Sequence, residues 1–82
     1  MDLNRLISTL GSPLTISRVL IFPEGGKVVE YVQGILREVK EDSIVIEQYF
    51  TFYDYVLGIE DTPSKLREFK KGEFDIVSVL KH

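Results

Sequence analysis

The chain has 82 residues, enough for one domain over 1–82 that buries only about 60–65% of its extended surface and so gains from partners. It holds no cysteine, which excludes disulfides and thiolate sites, and thirteen acidic residues against ten basic ones leave a charge of −3, unlike a nucleic-acid footprint. No apolar run approaches the ~18 residues of a membrane-spanning helix, and "MDLNRL" has neither the basic region nor the cleavage site of a signal peptide, so the cytoplasm is the expected location.

"MDLNRLISTLGSP" predicts a short helix. Asp2 can cap it, and Leu3, Leu6, Ile7 and Leu10 recur at the spacing of one apolar helical stripe. Gly11 supplies a left-handed stop and Pro13 prevents resumption. "LTISRVLIF" then predicts a strand, with Ile16, Arg18, Leu20 and Phe22 on one face and Val19 and Ile21 on the other. "PEGGK", residues 23–27, predicts a turn.

A long strand is predicted from Val28 to Val39, a turn at "KEDS" and a partner strand from Ile44 to about Tyr53. Gly34, isolated in "VVEYVQGILREV", marks a bulge or bend in this hairpin. Residues 62–72 are predicted to form a short helix, with Thr62 as cap, Pro63 in its first turn, Leu66 and Phe69 as an apolar edge, Lys70 and Lys71 at its negative end and Gly72 as its stop. "EFDIVSVLKH" reads as the closing strand.

The stretch "EQYFTFYDYVLG", residues 47–58, carries five aromatic rings. Strand side chains alternate between faces. An unbroken strand therefore puts Ile44, Ile46, Phe50 and Phe52 on a core face, and Glu47, Tyr49, Thr51, Tyr53 and Tyr55 on the other. A bulge near Gln48 would exchange the later positions. The tyrosines have two readings: they lie against the N-terminal helix or the 66–69 edge with their hydroxyls reaching water, or Tyr49, Tyr53 and Tyr55 form the candidate interaction face, because tyrosine combines a large rigid area with a hydroxyl for pairing.

Little in the chain points to catalysis, and the expectation is a protein that is not an enzyme. "PEGGK" lacks the spacing of a phosphate loop, since Val28 follows Lys27 where Ser or Thr is needed. No metal or cofactor is expected: the one histidine, His82, is terminal, and "KEDS" and "GIED" do not follow a calcium loop. Glu47 and Asp54 are the carboxylates within the aromatic stretch; Asp54 shares parity with Phe50 and Phe52, but a place in the bend at the strand's end, facing water, explains it better than acid–base chemistry does. The six serines have no base except His82. The densest basic patch is Lys65, Arg67, Lys70 and Lys71, interrupted by Glu68. It is the alternative candidate site, for nucleic acid, although solvation of a helix accounts for it too.

"VQGILREVKEDSIVIE", with Gly34 and the "KEDS" turn in place, resembles the strand–turn–strand core of Sm-like and related SH3-like small barrels, and "FDIVSVLKH" resembles their closing strand. The resemblance covers about half the chain. It implies a mainly β fold: a small five-stranded bent antiparallel barrel with a short N-terminal helix and a short helix before the last strand. It also implies the family's habit of pairing edge strands between subunits. The RNA-pocket residues of that family have no counterpart that can be placed here. The leading expectation is a non-catalytic assembly or protein-interaction module, self-associating through an edge strand or the tyrosine-rich face. The alternative is an Sm-like RNA-binding protein.

Overall fold

The structure, a computed structural model, describes residues 3–53, 59–60 and 64–80. A 3-10 helix, Leu3–Thr9, precedes six strands: β1 Pro13–Ile21, β2 Lys27–Val39, β3 Ser43–Tyr53, β4 Ile59–Glu60, β5 Lys65–Lys70 and β6 Asp75–Val79. All pairings are antiparallel. The path runs β4-β3-β2-β1-β6, and β5 shares the outer edge of β3 with β4. No described helix is long and apolar enough to cross a membrane.

The core lies against one face of this sheet. Leu14 and Ile16 of β1, Val32 and Leu36 of β2, and Ile44 and Ile46 of β3 are all buried, as alternation requires of strands with one covered face. Phe69 of β5 and Phe74, just before β6, meet edge to face at 6.3 Å and extend the core. On β1 the alternation follows the sequence, with Leu14 and Ile16 inward and Val19 and Ile21 exposed.

Two bulges control what faces this core. Gly34 pairs with Gln48 while Gln33 pairs with Phe50, so Tyr49 is the extra residue on β3. Gly34 is what permits it. A Cβ there would fall on the Glu47 carbonyl oxygen and on Ile46 Cγ2, so only a residue without a side chain lets β3 approach this closely. The second bulge places Arg37 between Leu36↔Ile46 and Glu38↔Val45.

The bulge at Tyr49 corrects the assignment of the rings. Beyond it the faces exchange, so Thr51 is buried while Phe50 and Phe52 are only half-buried. Phe52 stacks on Tyr31 at 4.8 Å and touches Phe50 at 5.7 Å, forming an aromatic cluster on the face away from the core.

The N-terminal helix is also corrected. Its buried residues are Leu3, Leu6 and Thr9, whereas Ile7 and Leu10 are exposed. A 3-10 helix repeats every three residues, so positions three apart eclipse and the wider stripe expected of an α-helix never forms. The Gly11 N–H donates to the Leu36 carbonyl at 2.8 Å and the Leu36 N–H to the Ser12 carbonyl at 3.1 Å, fastening the helix to β2.

The expected helix at 62–72 is a strand over its described part. Lys65–Lys70 pairs residue for residue with Gln48–Ser43. Leu66 and Phe69 lie on opposite faces, the first exposed and the second buried. Six ladder positions also satisfy the edge of β3 that a helix here would leave open, and a short helix with one apolar pair has little to hold it. Thr62 and Pro63 lie outside the described residues.

The barrel is corrected as well, and with it the resemblance to SH3-like and Sm-like barrels. β5 and β6 follow one another through a turn in which Gly72 takes φ +90, yet they do not pair. β5 joins β3 and β6 joins β1, so they occupy opposite edges of a sheet that stays open.

Candidate functional site

The most concentrated polar chemistry lies on the buried face. Glu30 of β2 is 3% exposed, at a position that strand alternation assigns to the core beside Val28 and Val32. Arg18, its cross-strand partner on β1, donates through Nε to Glu30 Oε1. Tyr53, its partner on β3, donates its hydroxyl to Glu30 Oε2 at 3.2 Å. Arg67 of β5 brings Nη1 to 3.7 Å from the same oxygen and donates from it to Gln48 Oε1. Both guanidinium groups lie over the Phe69 ring, at 5.7 Å for Arg18 and 4.8 Å for Arg67, where the negative face of the ring favours a cation. The carboxylate thus ties together side chains from β1, β2, β3 and β5.

A buried carboxylate must be hydrogen-bonded and paired. Here both oxygens of Glu30 are engaged, leaving no free base aimed at a cleft. Thr51, on the same face of β3 between Gln48 and Tyr53, has a buried Oγ1 with no partner among the described residues. The arrangement ties the strands together.

Of the candidate interaction tyrosines, Tyr49 and Tyr53 lie on different faces of β3. Tyr49 is exposed at the bulge and lines a shallow cleft of about 200 Å³ with Thr15, Gln33 and Ser78 on the outer face. Tyr53 turns to Glu30 on the core side, and Tyr55 lies outside the described residues. The basic patch is divided too: Lys65, Lys70 and Lys71 are exposed, while Arg67 is half-buried in the Glu30 network. Of the two carboxylates near the aromatics, Glu47 accepts from Arg37 Nε at 3.0 Å and Asp54 lies outside the described residues, as does His82. Among the described residues no three His, Asp or Glu side chains gather as metal ligands would.

The sheet edges were not resolved as surfaces by sequence reasoning alone. Leu66 on β5 is 67% exposed, and Val77 on β6 is 52% exposed. Neither strand has a second neighbour among the described residues. Val77 is the unpaired residue of a bulge, since Thr15 pairs with Ser78 and Ile16 with Ile76, and strand alternation alone does not mark such a residue.

No protein-family model, curated protein or solved structure matches the chain.

Proposed function

We propose that this protein is a non-catalytic assembly module whose copies join edge to edge, the β5 edge of one against the β6 edge of the next. One observation carries the reading: the sheet is open, and each edge strand has a backbone edge unpaired among the described residues together with an exposed aliphatic side chain, Leu66 on β5 and Val77 on β6. Unpaired edges are templates for pairing, and natural proteins blunt them or use them. Two different edges meeting make a head-to-tail contact, which repeats until it closes or runs on. The division of Tyr49 and Tyr53 between two faces favours the edges over a tyrosine surface.

Sedimentation velocity across a dilution series tests the reading. Self-association gives a weight-average mass that falls on dilution, or a stable multiple of 9.4 kDa. A constant mass near 9.4 kDa up to several hundred micromolar removes it.

A further inference from the structure

The outer edge of β1 is only half used. β6 reaches Ser17, opposite Asp75, and beyond that no described residue pairs with this edge. The Phe22 N–H donates to the Gly26 carbonyl, which fixes the phase of the β1–β2 ladder. Bonded and non-bonded pairs alternate. Arg18 and Leu20, paired with Glu30 and Val28, therefore turn their N–H and C=O groups toward β2, while Val19 and Ile21 turn theirs outward. The side chains of Val19 and Ile21 are 57% and 71% exposed.

Beside this edge lies a cleft of about 350 Å³, walled by β1 on one side and by Gly72, Glu73, Phe74 and Asp75 on the other. We propose that the edge and its cleft form a strand-addition site for an extended apolar peptide with a basic residue at the end that meets the 72–75 turn. The proposal is independent of self-association at β5 and β6. An added strand would run in line with β6, pair with the outward groups of Val19 and Ile21, and span about four residues at ~3.3 Å each.

Charge chooses the occupant. Glu73 and Asp75 are exposed and form no ion pair among the described residues. Arg18 also lines the cleft, but its Nε is engaged by Glu30 beneath it, whereas nothing engages the two carboxylates of the rim among the described ion pairs. The rim therefore favours Lys or Arg. A second copy pairing through the same edge fits poorly. With Leu20 on the two-fold axis, its 23–26 turn would run onto Ser17, bringing its Glu24 against Asp75 and Glu73.

The test uses three fluorescein-labelled peptides of alternating Val and Thr: one flanked by Lys, one by Glu, and a Lys-flanked one N-methylated at alternate residues. Fluorescence anisotropy should show the first binding at least tenfold more tightly than the other two. Amide exchange at Val19 and Ile21 should slow on binding while that at Leu20 stays unchanged. Glu73→Lys with Asp75→Lys, the one just before β6 and the other at its exposed first position, should reverse the flank preference, and Leu66→Arg should leave binding intact. Should the double variant fail to fold, the three peptides on the native chain still decide. Equal affinity for both flanks, no binding of the Lys-flanked peptide, or protection confined to β5 or β6 overturns the proposal. So does protection of Val19 and Ile21 that depends on protein concentration without peptide, which would assign the edge to a second copy.

Discussion

Two single residues control how β2 and β3 meet. Gly34 is needed for space, since an added Cβ would strike main chain at Glu47 within 2.9 Å of its carbonyl carbon. Backbone cannot swing aside as a side-chain tip can, so Gly34→Val should lower stability by about 2 kcal/mol or more. Urea melts measure it, and an unchanged midpoint would show that the bulge tolerates a side chain. Glu30 is needed for charge. Removing it leaves Arg18 and Arg67 facing one another over Phe69 with no counter-ion between them. Breaking a buried pair costs about 3–5 kcal/mol, and the partial exposure of both arginines moves Glu30→Gln toward ~2 kcal/mol. Arg67→Met should cost less, because Arg18 and Tyr53 still hold the carboxylate. Thermal melts of the two variants check the order, and a more damaging Arg67→Met would contradict it.

At the scale of elements, the 3-10 period separates neighbours that a helical wheel would group. Leu6→Ala should cost about 2–3 kcal/mol and Ile7→Ala under ~0.5, because only Leu6 is buried. Similar losses from both in denaturant melts would indicate an α-helical stripe instead. The β3–β5 ladder carries a pH-dependent tie. The Ser43 hydroxyl and then Lys40 hydrogen-bond Glu68, and with the nearby Lys40 charge they hold its carboxyl below the ordinary 4.5. A depressed folded-state pKa contributes stability above the unfolded value and loses it as pH falls through the folded one. Native chain and Glu68→Gln should therefore differ in melting temperature at pH 7, and the gap should close as pH falls below 4.5 and through the lowered folded value. A gap that does not narrow as the solution is acidified would assign the effect to packing. The elements also mark where the sequence was legible. The β1–β2–β3 meander could be read because turn residues bound long β-branched runs, and Gly34 announced its bulge. The faces beyond Gln48 could not be fixed, because a one-residue bulge inverts every later side chain. Residues 65–70 read as helix because Leu66 and Phe69 are three apart, and nothing local reveals that the edge of β3 is waiting for them.

For the whole molecule, the decisive feature is that consecutive strands β5 and β6 go to opposite edges and leave the sheet open. That arrangement followed from pairings distant in sequence, such as Ser43↔Lys70 and Leu14↔Val79, which local patterns do not encode. The same openness motivates assembly. Its most direct test is complementation between two variants, each with one edge blocked by charge. Leu66→Arg disables β5 and leaves β6, and Val77→Arg does the reverse. Both positions are exposed, so both variants should fold. Sedimentation velocity should find each variant monomeric alone and a 1:1 heterodimer, capped at both ends, when they are mixed. A mixture that remains monomeric although the native chain associates, or either variant alone associating as the native chain does, would contradict pairing of β5 with β6.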